Sequence, residues 1–383
     1  MKTTRFFIGV IRVNSRPKTF LIRVHSCAFV AQVIAHVSLL PMKAVRIHQH
    51  GGPEVLKYEE VPEPKIKANQ VLLRVRACAL NHLDLFVRAG IPGMKFPMPH
   101  VPGSDIAGEV VEVGELCERI KPGMRVLLSP GTSCRQCEQC LNGNDNLCRR
   151  FTMFGYAIDG GYTELLAAPE YTAIPIPDDM PFEEAAASPL VFLTAWHMLM
   201  TRAKLRPGED VLVLAASSGV GMAAIQIAKL FQCRVIATAG GEAKLARARE
   251  LGADHAIDHY QQDISAEVRK ITGKRGVDVV IEHVGVATWQ KSLESLAPAG
   301  RLVTCGATTG YDAKVDLRFL FSKQWSLLGS FMGTMGELHT VLKFVFRKQI
   351  RPVIDRVYPL TEIAAAHQRL ENKEQFGKIV VVP

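Results

Sequence analysis

The stretch DVLVLAASSGVG, Asp210 to Gly221, decides the fold. An apolar strand, Asp210 to Ala215, runs into a turn of small residues, and helical periodicity follows from Val220 to Phe231. At such a junction the backbone N–H groups and the positive end of the helix dipole hold a pyrophosphate. Ser217, Ser218, Gly219, Val220 and Gly221 are therefore the candidate phosphate residues. The usual first glycine is replaced by Ala or Ser, so a plain tight βα turn is the alternative.

Working outward, strand and helix keep alternating. Arg234 to Thr238 is followed by a helical Ala243 to Leu251, and the buried runs Val277 to Glu282 and Arg301 to Thr304 come next. This rhythm predicts an α/β domain with a doubly wound parallel sheet. In a site for NAD the second strand ends on a carboxylate that binds the ribose hydroxyls, but here it ends in Ala239-Gly240-Gly241. An uncharged end leaves room for a 2′-phosphate, and Lys244 is placed to meet it, which favours NADPH over NADH. The competing reading of Lys244 is a solvated helix cation beside Glu242. Thr238 and Gly240 at the strand end, Gly285 after the run Val277 to Glu282, and Lys378 complete the cofactor candidates.

Upstream, from Met42 to about Tyr171, short strands with turn punctuation (Lys43 to Ile47, Val71 to Ala77, Gly108 to Val113, Arg125 to Leu128) predict an all-β lobe. Inserted in it are Cys134, Cys137, Cys140 and Cys148, spaced C-x2-C-x2-C-x7-C. Four thiolates in one short loop close a tetrahedral zinc shell with no vacancy for substrate, a structural site. Two disulfides, or four unrelated thiols that fall in one polar loop, are the alternatives, but cysteines so close pair awkwardly, and the other five are scattered singly as in a reducing, cytoplasmic compartment. The tail ends in a strand-like Lys378 to Val382 that returns toward the first lobe.

With 383 residues, 48% hydrophobic and 22% charged, the chain has material for two cores. Its net charge of +9 is concentrated in residues 1 to 41, which hold six basic residues and no acid, so the remainder carries only +3. Nucleic-acid binding by the body is weakly supported. The apolar run Cys27 to Leu40 is short for a membrane span, which needs about 20 residues. The extension reads as a transit peptide, a poor signal peptide, or sequence ahead of a true start at Met42, and the last is favoured. The expected organisation is an extension over 1–41, the β lobe over 42–190, the nucleotide lobe over 191–330 and the return over 331–383.

In this order the parts resemble the medium-chain dehydrogenase/reductase superfamily, most closely its quinone oxidoreductase branch. The resemblance is carried by Gly51 to Leu56 (GGPEVL), Ala79 to Asp84 (ALNHLD), Pro102 to Gly108 (PGSDIAG), the cysteine loop, Thr194-Ala195-Trp196, Ser217 to Gly221 and Gly377-Lys378. It implies a GroES-like β domain plus a Rossmann domain. Relatives with a catalytic zinc bind it through Cys, His and Cys, and the matching positions here are Asn81, Ser104 and Leu190. The resemblance therefore implies one structural zinc, no catalytic one, and hydride transfer from NADPH to an activated alkene (enone or enoyl thioester) or a quinone. By position Asn81 and Ser104 orient the substrate, and Thr194 contacts the nicotinamide carboxamide. The alternatives are a turn-stabilising amide, a backbone-bonded hydroxyl and a helix cap. Phe86 stands where some quinone oxidoreductases have a tyrosine, and His82 and His197 are titratable neighbours. A zinc-dependent alcohol or polyol dehydrogenase is the enzymatic alternative, and an NADPH-binding protein with a nucleic-acid or protein partner the other. The resemblance also implies a homodimer or homotetramer, paired through Trp325 to Phe331.

Overall fold

The computed structural model describes residues 41–383, so the readings attached to residues 1–40 lie outside the described residues. Two sheets organise the chain. Six strands, Asp210–Val213, Arg234–Ala239, His255–Asp258, Val277–Glu282, Leu296–Thr304 and Ser326–Gly329, form one parallel sheet in the order third, second, first, fourth, fifth, sixth. Parallel strands need crossovers, and the intervening helices supply them. Strand Asp210–Val213 is buried throughout, as a central strand covered on both faces must be. Helix Gly219–Leu230 packs on it with Gly221, Met222, Ala223, Ala224, Ile225, Ile227 and Ala228 buried. Burying each Ile or Met there stabilises the lobe by about 1.5–3 kcal/mol.

The first strand is shorter than its apolar run: it ends at Val213, and Ala215 takes φ 47° to enter the turn. The fifth begins earlier, at Leu296, across Pro298 and a left-handed Ala299. The short strand His255–Asp258 and the amphipathic helix Ile264–Ile271, capped by Asp263, are elements that the sequence reading does not include. Strand Ser326–Gly329 lies at the free edge of the sheet.

The second sheet is centred on Gln70–Ala79. This strand pairs antiparallel with Asp105–Val113, with Leu165–Pro169 and with the last strand of the chain, Lys378–Val382. The register is specific at one end of the sheet: Ala79 faces Asp105 on one side and Val380 on the other, and Leu80 N donates to Ile379 O at 2.9 Å. Residues 79–81, 105 and 378 are thereby brought together there. A two-stranded ribbon, Gly131–Thr132 with Thr152–Met153, brackets the cysteine loop. No helix among the described residues is long and apolar enough to cross a membrane.

Candidate functional site

A cleft of about 710 Å³ opens where the first and fourth parallel strands end, the point at which the strand order reverses. Its floor is the turn Ser217 to Val220. Ser218 caps the helix, its Oγ accepting from Gly221 N at 2.9 Å. A side chain on Gly219 would meet Val191 Cγ1 at 2.6 Å and Lys378 Cδ at 3.0 Å; one on Gly221 would meet Ala215 O at 2.4 Å. Gly221 therefore holds helix against strand and does not line the cleft, whereas Ser217, Ser218, Gly219 and Val220 do. Gly377 N donates to Ser217 O at 2.8 Å, fastening the chain's end to the turn.

At the end beside the second strand, Thr238 and Gly240 line the cleft. Thr238 Oγ1 accepts from Ala215 N at 3.1 Å. A side chain on Gly240 would sit 2.2 Å from the exposed Tyr260 ring, which closes this wall. Lys244 reaches the cleft too, but its ammonium donates to Lys373 O, and burial lowers its pKa. Gly285 does not line the cleft. It has φ 96°, its N–H goes to Glu282 Oε1 at 3.1 Å, and a side chain would strike Gly310 O, so its glycine is required by loop packing.

The other end of the cleft is organised by Lys378. Its Nζ lies 2.6 Å from Asn81 Oδ1 and 2.9 Å from Asp105 Oδ2, while Asn81 Nδ2 donates to the same Asp105 oxygen at 3.0 Å. The other Asp105 oxygen accepts from Leu190 N at 2.9 Å. Asn81 also opens helix His82–Ala89, its N–H donating to Asp84 at 2.7 Å. Burial pushes the Asp84 carboxyl up to about 6 against that bond. Thr194 lines the cleft with its buried Oγ1 unpaired among the described residues, a donor free for a ligand. Ser104 is different. It is fully buried, its Oγ donates to Phe154 O at 2.7 Å, and it lies off the cleft, so it is a backbone-bonded hydroxyl.

His82 lines the cleft, and burial, reinforced by His283, Lys378 and Lys373, pushes its pKa down to about 4. His197 points elsewhere, to Glu337 at 2.9 Å. Asp105, Lys373, Tyr260 and His283 also belong to this region, and sequence reasoning does not single them out. Asp105 carries a signal, since it adjoins Ser104 in Pro102 to Gly108; the others carry none until the strands are placed.

In the cysteine loop the four Sγ atoms lie within 4.8 Å of one another, with Cys134 to Cys140 at 3.9 Å and Cys137 to Cys140 at 3.6 Å. Zinc–thiolate bonds near 2.3 Å imply sulfur separations of about 3.8 Å in a tetrahedron, so the donor set fits the metal. Backbone N–H groups of Cys137 and Arg150 point at Cys134 and Cys148 Sγ, both at 3.3 Å. The backbone N–H of Gln136 is the largest influence holding the Cys134 thiol down to about 5, the thiolate a metal needs.

Residues 67–178 match the alcohol dehydrogenase GroES-like domain, and residues 219–347 match the zinc-binding dehydrogenase domain. The chain is 30% identical to a quinone oxidoreductase of Homo sapiens, over 89% of this chain and 98% of that protein. A crystal structure of an NAD-dependent alcohol dehydrogenase is 45% identical with a TM-score of 0.87, covering 89% of this chain and all of that one. A crotonyl-CoA carboxylase/reductase in complex with NADP is 26% identical with a TM-score of 0.83, covering 89% of this chain and 95% of that one. The GroES-like lobe, the Rossmann lobe and the nicotinamide-cofactor cleft they build make this chain a member of the medium-chain dehydrogenase/reductase superfamily, and an oxidoreductase.

Proposed function

We propose that the protein is an NADPH-dependent reductase of activated alkenes (enones or enoyl thioesters) or quinones that works without a catalytic zinc, while Cys134, Cys137, Cys140 and Cys148 hold one structural zinc. The carrying observation is the donor set at the three positions where zinc-dependent relatives place ligands. Asn81 Oδ1 is taken by an ammonium, the Ser104 hydroxyl is turned away to Phe154, and Leu190 brings no donor side chain. Zinc needs three protein ligands of N, S or carboxylate type in a catalytic site, and these residues do not fit it.

NADPH, when bound, supplies a hydride. An activated alkene accepts it if the developing enolate oxygen is stabilised, whereas an unactivated alcohol benefits by several kcal/mol from a metal on its alkoxide. Carboxylate-free Gly240 and the nearby Lys244 and Lys373 favour a 2′-phosphate. The quinone oxidoreductase and the crotonyl-CoA enzyme support this reading; the NAD-dependent alcohol dehydrogenase supports alcohol oxidation instead. We place the enzyme in the cytoplasm, as a homodimer or homotetramer paired through the Ser326–Gly329 edges.

The test is a panel of enones, enoyl thioesters, quinones and alcohols, each with NADPH and with NADH, followed by nicotinamide absorbance, alongside metal analysis. Turnover of an activated alkene or quinone with NADPH and about one zinc per chain is expected. No turnover on any of them, or two zincs with alcohol oxidation lost on chelation, overturns the reading.

A further inference from the structure

We propose that the Lys378 ammonium replaces the family's catalytic metal as the fixed cation of the site, binding the substrate's carbonyl oxygen as that oxygen gains charge; this rests on the reductase reading above. The placement is direct. Two of the three ligand positions, Asn81 and Leu190, join one hydrogen-bonded network with Lys378 and Asp105, and the third, Ser104, is the neighbour of Asp105. A cation therefore stands among the positions that would surround a zinc.

Stability does not account for it. Lys378 is 2% and Asp105 0% exposed, and burying such a pair costs as much as it returns, so apolar residues would serve a core equally well. Lys378 instead lies on the cleft wall, with Asp105 behind it. Asn81 and Asp105 occupy two N–H groups of the ammonium, and the third has no protein partner among the described residues.

The group is also held in place before substrate arrives. Lys378 starts a strand whose N–H donates to Val353 O at 2.8 Å, and its stem runs over Gly219, which has no side chain to block it. The ammonium thus sits beyond the phosphate turn, at the end of the cleft where Asn81 and Thr194 lie. Preorganised donors of this kind need no rearrangement as charge develops.

In the step, the β-carbon of an enone gains a hydride and its electron pair from the dihydronicotinamide. The C=C pair moves to form the enolate, the negative charge comes to rest on the oxygen beside Lys378, and the α-carbon then takes one proton from water. The products are the saturated ketone and the oxidised nicotinamide. Lys378 keeps its protons and acts electrostatically.

Two variants test this: Lys378→Met, and Lys378→Met with Asp105→Asn, which leaves no carboxylate buried alone. Expected is a kcat lower by about 10²–10³-fold with KM for NADPH within about threefold. A second readout needs no turnover: 4-nitrophenol added to the wild-type NADP⁺ complex should bind as the yellow phenolate at a pH where the free phenol is neutral, and the variants should lose that band. The proposal is overturned if the wild type shows no preference for the phenolate. It is overturned equally if a folded variant keeps kcat, or if only KM for NADPH rises, which would make Lys378 a cofactor ligand. Absence of turnover by the wild type on every activated alkene and quinone would instead sink the reductase reading, with the phenolate measurement still deciding the role of Lys378.

Discussion

The cysteine loop and the Asn81–Asp105–Lys378 row are both polar clusters on the β lobe suited to a cation, and they are built in opposite ways. All four cysteines fall between residues 134 and 148, and three of them are only half-buried. The row joins residues 297 apart in sequence and is at most 7% exposed. A local cluster organises its own loop with little help, so its loss is a loss of stability. The row exists only once the last strand has paired with Gln70–Ala79, so its loss is felt in the chemistry that the assembled fold supports.

The largest expected effect breaks the first half of that contrast. Cys140→Ala should lower bound zinc from about one per chain to none and cost about 4–5 kcal/mol, the scale of losing a structural metal. The loop also docks on the segment that follows the last parallel strand, Asn146 Nδ2 donating to Phe331 O and Met335 N to Asp145 Oδ1, both at 3.0 Å, so loosening extends to that contact. NADPH affinity of the molecules that remain folded, measured by fluorescence titration, should stay within about twofold. If Cys140→Ala were fully stable and yet transferred no hydride, the loop would belong to the chemistry.

The same contrast explains what the sequence could disclose. Strands Val277–Glu282 and Lys378–Val382 coincide with their apolar runs, and the phosphate turn lies where small residues follow a buried strand. The cysteine spacing is a motif because its geometry is local. Lys378 is legible only as part of a Gly-Lys pair assigned to cofactor, because the register that carries it to Asn81 is set by long-range pairing. Ser104 misleads for a related reason. Position along the motif puts it at the cleft, but in an extended strand successive side chains alternate faces: Asp105 joins the row while Ser104 turns to Phe154.

Lys244 sharpens the contrast from the adenosine side, because it too meets the chain's end, at Lys373 O. Lys244→Ala should raise KM for NADPH about tenfold, roughly 1.4 kcal/mol, with KM for NADH unchanged. Steady-state kinetics with both nucleotides measure it. Equal losses for the two would show that the lysine holds only the Lys373 loop and reads no phosphate.

His82 offers the smallest effect, and it belongs to the row's side of the comparison, since it adjoins Asn81 and feels Lys378. An unfolded histidine takes up a proton near 6.5, while the folded His82 does so only near 4. Between these values the unfolded chain binds more protons, so stability is full above about pH 6.5 and is lost as pH falls toward 4. From pH 7 to pH 5.5 the loss attributable to His82 is about 1 kcal/mol. Urea unfolding at the two pH values, compared with His82→Gln, should show the variant less acid-sensitive by that amount. Since His82 is neutral at pH 7, His82→Gln should also leave the pH profile of kcat unchanged above pH 6. A kcat that instead followed the titration of His82 would move the site's active cation away from Lys378 and onto the imidazole.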